Sequence, residues 1–300
     1  MNPMNLTDTL LALPGSYAGP TAPLDGPHAV LGLGEGALPA DLLTTFTDRR
    51  LSAGGTQFIL SSAETSVAAA DYANLGEASG ARIVRAGEGP LDALSFLVPR
   101  GVTSTYHYAQ FTAHATGHAD AATRADALMR DLAERCAPHI EDGNPARELA
   151  WSLWGRTPML LAASGDAWLT YAWQTLLARI GKTLSIPVER DPLYILTGAF
   201  EARHETGDGR VALLLGHVDP ELALAREVLE TRIDEVIHVP YTGSTDDEDG
   251  QYAAQLAHWY FAAWVAHYLA ERHGVSSEDA SPLREVLRTL GGETPAADLN

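Results

Sequence analysis

Residues 28–34, His-Ala-Val-Leu-Gly-Leu-Gly, run from a short apolar stretch into glycines, and residues 35–43, Glu-Gly-Ala-Leu-Pro-Ala-Asp-Leu-Leu, then read as the start of a helix. A strand, a glycine turn and a helix start present free backbone N–H groups that suit an anion. Gly34 and Gly36 let the backbone close on such a ligand. A phosphate-binding loop of this kind usually adds a Ser or Thr hydroxyl. Here Glu35 stands beside Gly36, and its carboxylate would repel a phosphate. Hydroxyls appear in a second loop, where Ser61, Ser62 and Thr65 precede a helix of small residues. They suit a phosphate, although Ser62 could also simply cap that helix, with Glu64 favourable in its first turn. A third loop, Ala163-Ser164-Gly165-Asp166, repeats the strand, small-residue loop and helix sequence and adds the Ser164 hydroxyl.

Three further groups carry chemistry. Glu201, Arg203, His204 and Glu205 form the densest titratable set on a loop, and His is the side chain best poised for proton transfer near neutral pH. A solvated turn before Gly207-Asp208-Gly209 explains them equally well. Arg179 and Lys182 end a helix, where cations complement the dipole and could also meet an anion. His107, His114 and His118 are spaced 7 and 4 apart and would share one helix face. No acidic residue completes that set before Asp120, and Gly117 weakens the helix. Partly buried histidines are therefore favoured, and no metal is expected.

These residues need elements to hold them. Apolar runs at 28–34, 56–62, 82–86, 95–99, 158–163, 184–188, 211–216 and 235–239 read as strands. Helical patterns cover 37–48, 64–76, 103–117, 120–136, 145–154, 166–181, 219–230, 251–273 and 281–290. Apolar runs without polar alternation suit parallel strands covered on both faces, and their alternation with helices predicts a doubly wound α/β fold. Residues 137–145, with two prolines and a glycine, are the best boundary, which predicts domains at 1–140 and 141–300. Trp259, Phe261, Trp264 and Tyr268, with His258 and His267, make the helix 251–273 apolar on many sides, as in a core or a subunit contact.

Composition excludes several functions. The 300 residues carry a formal charge of −19, which argues against nucleic acid and anionic membrane surfaces. It leaves room for an anionic small ligand held by local donors. The single cysteine, Cys136, excludes an internal disulfide and a thiolate metal site. No basic segment followed by an apolar run opens the chain, and no run of 18 apolar residues occurs. A cytoplasmic protein is expected.

The order of motifs resembles the bifunctional phosphoglucose/phosphomannose isomerase branch of the SIS (sugar isomerase) superfamily. Residues 32–43 follow that family's G-M-G-G-S-A-x-G-G-D-L-L without a gap, and residues 60–65 sit at its S-Y-S-G-N-T. Residues 144–147, 153–158 and 171–175 resemble N-P-A-K, L-Y-G-R-x-P and Y-R-W-K-T. The resemblance implies two SIS domains, each a parallel sheet flanked by helices in a flavodoxin-like three-layer sandwich. It also implies a homodimer and aldose–ketose isomerisation of hexose 6-phosphates without metal or organic cofactor. Gly34, Gly36, Ser61, Ser62, Thr65 and Ser164 are then the phosphate-side candidates, and His204, Glu201, Arg179 and Arg288 the catalytic ones.

Departures from that pattern are concentrated in the site. Counted from Trp173, the family's basic Glu falls at Arg179, which is always cationic and cannot accept a proton. The loop Ser falls at Gly36, and the C-terminal Lys at or near Arg288. Residues 102–108 lack the family's Arg unless Arg100 replaces it. His204 holds the place of the family His across an insertion. Two functions follow: an isomerase with a rearranged site, in which Glu201 or Glu205 is the base and His204 opens the ring, or a non-catalytic sugar-phosphate sensor or regulatory protein.

Overall fold

The computed structural model describes residues 5–48, 54–88, 94–188 and 209–277, and Val286. Among the described residues all the strands are parallel and fall into two four-stranded sheets. In the first, β1 (His28–Leu33), β2 (Thr56–Ser61), β3 (Arg82–Gly87) and β4 (Phe96–Leu97) lie in sequence order. The second contains β5 (Thr157–Ala162), β6 (Ile186–Val188), β7 (Arg210–Leu215) and β8 (Glu235–Val239), in the order β6-β5-β7-β8. The two sheets, each flanked by helices, give the α/β architecture expected from the apolar runs. Residues 281–285 and 287–290, expected to be helical, lie outside the described residues.

Helices cover both faces of each sheet because alternate strand residues must be buried on opposite sides. On one face of the first sheet, Ile59 meets Ala69 and Ala73 of α3 (Ser66–Ala78). On the other, Val30, Phe58 and Leu60 join α2 (Ala37–Leu42), α4 (Ser104–Ala115) and α5 (Ala119–Arg135). In the second sheet, Met159, Leu161, Ala212 and Leu214 pack on the helix Pro220–Glu230. The opposite face packs on α6 (Pro145–Leu153), α7 (Trp168–Arg179) and the long helix Glu248–His273. One apolar cluster runs continuously from the first sheet to the second, so the two halves share a helical middle layer.

One expectation narrows here. The long helix Glu248–His273 was expected to owe its many apolar sides to a core or a subunit contact. It is buried within the chain from Tyr252 to Tyr260 and from Ala262 to Ala270, so its apolar character is satisfied internally and supplies no argument for a dimer. Residues 137–145 are pinned in place. Asn144 is fully buried, accepts the Arg147 N–H as N-cap of α6, and donates to the Ala137 and Ile140 carbonyls and the Tyr268 hydroxyl. The sequence pattern also passed over α1 (Leu6–Ala12), a short helix capped by Asn5, whose Leu6 and Leu10 enter the shared core.

Candidate active site

The site is set by register. His28 to Leu33 of β1 align with Thr56 to Ser61 of β2, which align with Arg82 to Gly87 of β3. Three loops therefore leave the carboxyl edge of the sheet side by side, starting at Gly34, Ser62 and Glu88. Open α/β sheets bind ligands at this edge. Gly34 has φ +58°, a left-handed conformation in which a Cβ would strike the Ser62 hydroxyl. Only glycine lets the two loops approach so closely.

Ser62 and Thr65 face each other across the second loop, with Oγ and Oγ1 3.2 Å apart. Thr65 also donates to the carbonyls of Leu33 and Ser62. Ser62 opens the turn in extended conformation without a side-chain capping bond, so ordinary capping does not account for its hydroxyl. A cavity of about 350 Å³ lies against these groups, within the usual range for small-ligand pockets. Gly34, Glu35, Ser62, Glu64 and Thr65 form one wall. Val102 comes from the segment before α4 and Thr105 from its start, and Tyr171, Thr175, Leu176 and Arg179 come from α7. Trp259 of the long helix also lines it. The cavity thus lies between the two sheets and needs both halves.

Arg179, which the motif count sets at the position of the family's base, is engaged. Its Nη1 donates to Glu35 Oε1 and Oε2 at 2.6 and 2.7 Å. Glu35 was expected to oppose a phosphate on its own. Instead its charge is neutralised by a residue 144 positions away, at the opposite wall. Both side chains remain about 30% exposed.

Two other carboxylates surround the cradle. Glu64 is exposed at the loop. Glu88 is buried, and its pKa is raised by burial and by the charges of Glu35 and Glu64, against the Ala63 N–H and Arg100. Arg100 Nε donates to the Glu88 carbonyl at 3.2 Å. Tyr108 of α4 donates to the Ser61 carbonyl at 2.8 Å, and burial pushes its titration up.

The remaining candidates are scattered. Ser61 is buried in β2, and Gly36 is packed against Leu60; neither lines the cavity. Ser164 is exposed in the corresponding loop of the second sheet and lies outside it. There the carboxyl edge is filled by Asp166, which is 3% exposed and accepts from the Tyr241 hydroxyl at 2.6 Å, from Gln255 Nε2 and from the His217 N–H. A buried carboxylate there opposes an external anion by its charge. Glu201, His204, Glu205 and Arg288 lie outside the described residues. The three histidines separate: His107 is buried, His114 stacks on Tyr17, and His118 pairs with Asp249 and stacks on Phe46. Among the described residues, no group of three or more His, Cys, Asp or Glu is arranged to hold a metal ion, and no helix is long and apolar enough to cross a membrane.

Sequence reasoning missed Glu88, Tyr171 and Trp259 as parts of this region. Glu88 is the first residue past β3, and only the pairing of β3 with β2 sets it beside the Ser62 loop.

Comparison with known proteins agrees with this fold. Residues 6–117 match the phosphoglucose isomerase N-terminal domain, and residues 142–289 match the bacterial phospho-glucose isomerase C-terminal SIS domain. A glucose-6-phosphate isomerase-like protein from Thermus thermophilus is 31% identical over 94% of each chain, with a TM-score of 0.78. The chain belongs to the bacterial phosphoglucose isomerase family of SIS proteins. More distant structures share its fold. Glucosamine-6-phosphate deaminase from Thermotoga maritima is 11% identical over 91% of this chain and 93% of that one, with a TM-score of 0.54. Tagatose-6-phosphate ketose/aldose isomerase from Escherichia coli is 13% identical over 81% and 82%, with a TM-score of 0.52. No curated protein sequence matches the chain.

Proposed function

We propose that this chain binds a hexose 6-phosphate in the cavity between its two sheets and isomerises it weakly, between aldose and ketose. The observation that carries this is the pairing of Gly34 with Ser62 and Thr65 at the carboxyl edge of the first sheet, opening onto that cavity. Hydroxyls and loop N–H groups are what a phosphate needs, and the other walls leave room for a sugar. Membership of the phosphoglucose isomerase family supports the substrate class.

The weakness follows from charge. Isomerisation between C1 and C2 needs a base, and losing one typically costs about 100- to 10,000-fold. By the motif count Arg179 falls at the base position, and one wall carboxylate, Glu35, has both oxygens on Arg179, while the other, Glu64, lies exposed at the loop. That pair favours a second reading, a phosphosugar sensor or regulatory protein without catalysis. Coupled assays with fructose 6-phosphate and mannose 6-phosphate, run beside calorimetric titration of the same sugars, separate the two. Binding with slow turnover supports the first reading, and binding without turnover the second. Turnover on the order of 100 per second, ordinary for an efficient enzyme, would show that another residue has become the base.

We also propose a homodimer, on the strength of the motif resemblance. Sedimentation showing a monomer at micromolar concentration would count against the dimer.

A further inference from the structure

Glu88 is the first residue beyond β3, and because Ser61 and Gly87 are register partners it leaves the sheet beside Ser62. Its N–H points to the Ser61 carbonyl at 3.4 Å. The side chain is 8% exposed, and Oε1 is buried with no hydrogen-bond partner among the described residues. A buried, half-satisfied carboxylate is costly and needs a reason. Its charged form is supported by the Ala63 N–H, a donor inside the Ser62–Thr65 loop. A carboxylate of the chain therefore already sits at the loop that would receive a phosphate.

The charges around it are defined. Glu64 faces it from the loop and Glu35 from the glycine turn, the latter bound to Arg179 of α7. Arg100 approaches from the segment before α4, and Tyr108 of α4 donates to Ser61. On its own strand, Arg85 donates to the Ser66 carbonyl at the start of α3. The described lining of the cavity contains no histidine.

We propose that Glu88 is a protonation-dependent gate on anion binding at the Ser62–Thr65 loop: ionised, it holds the Ala63 N–H and repels the ligand's phosphate; protonated, it yields the loop to it. This rests on the phosphosugar reading of the same cavity. The sign follows from linkage. Burial, Glu35 and Glu64 raise the Glu88 pKa above the ordinary glutamate value. Anion affinity is then highest below that raised pKa and falls as pH rises through it. By reciprocity, a bound anion draws a proton onto Glu88.

Sulfate is the probe, because it stays a dianion where a sugar phosphate would itself titrate. Calorimetric titration of the wild type from about pH 5 to about pH 8 should show affinity falling by about tenfold, the equivalent of one pKa unit of coupling. Glu88→Gln should bind with no such fall, near the low-pH affinity of the wild type. The wild type should also take up protons on binding sulfate, read from titrations in two buffers of different ionisation heat. That measurement needs no variant to fold. Sulfate binding that is flat with pH, that keeps its slope in Glu88→Gln, or that takes up no proton overturns the gate and leaves the phosphosugar site standing. Sulfate binding undetectable in both proteins at every pH overturns both.

Discussion

Glu35→Gln removes one charge from the cavity wall and leaves the shape of the side chain nearly unchanged. In the native protein, Glu35 binds Arg179 through one nitrogen and both oxygens. Without the carboxylate charge, the Arg179 guanidinium stays at the cavity with its full cation available to a ligand. The Gly34 and Ser62 loops leave adjacent strands, which lie about 4.8 Å apart, and roughly 6 Å is taken as the separation of the Glu35 carboxylate from an anion seated at Ser62. At that distance, an effective dielectric of about 20 to 40 gives about 1.4–2.8 kcal/mol per unit charge. Hexose 6-phosphate affinity should therefore rise about 10- to 100-fold. Both side chains are about 30% exposed, so solvent screening reduces their mutual attraction, and stability should fall by no more than about 1 kcal/mol. Calorimetric titration of wild type, Glu35→Gln, Arg179→Gln and the double variant forms a cycle that isolates the pair. The double variant should lose most of the gain, because the freed cation is gone. Unchanged or weaker binding by Glu35→Gln, or a double variant as tight as the single one, would refute the idea that Glu35 shields Arg179 from the ligand.

Other outcomes follow from the same geometry. Arg179→Glu alone sets two carboxylates against each other across the cavity, whereas Glu35→Gly with Arg179→Glu removes that clash and places a base; only the double variant should raise isomerase turnover, by about tenfold or more. Coupled assay of all three proteins checks this, and equal turnover in the single and double variants would contradict it. Gly34→Ala must place a Cβ at φ +58° and against the Ser62 hydroxyl. It should lower stability by about 1–2 kcal/mol in urea unfolding and abolish sulfate binding. His107 and His258 are held neutral by burial, with pKa values lowered to about 4. Between about pH 4 and the unfolded value of about 6.5, the unfolded chain binds more protons, so these residues make stability rise with pH across that window. Urea midpoints at several pH values should show the rise, and His107→Leu should make it shallower, leaving the part due to His258.

Much of the architecture is written locally. The eight apolar runs became eight parallel strands because unbroken Val, Ile, Leu and Ala stretches are stable only when covered on both faces. Caps at Asn144, Asp219 and Asp247 start helices through bonds made within three residues. Gly34 signalled its own tight turn, and the hydroxyls of Ser62 and Thr65 drew notice by their place after a strand, where they line the cavity. The motif order carried the family, since it depends on spacing along the chain and not on contacts.

What lay beyond the sequence is what depends on distant partners. Glu35 read as a repelling charge because no local pattern could show Arg179 returning on α7 to neutralise it. Asp166 read as part of a second small-residue loop, and only the approach of Tyr241 and Gln255 turned it into a plug. The long helix looked like a possible subunit contact because hydrophobicity records that a face is buried but not against what. Glu88 was passed over because a lone glutamate after a strand is ordinarily solvated. Its importance came from strand register, which set it beside Ser62 and out of water. Local order along the chain is governed by backbone propensity and apolar period, which the sequence states. Charge in a site is governed by which groups are brought within a few ångströms, and that is decided only when the two sheets close on their shared helices.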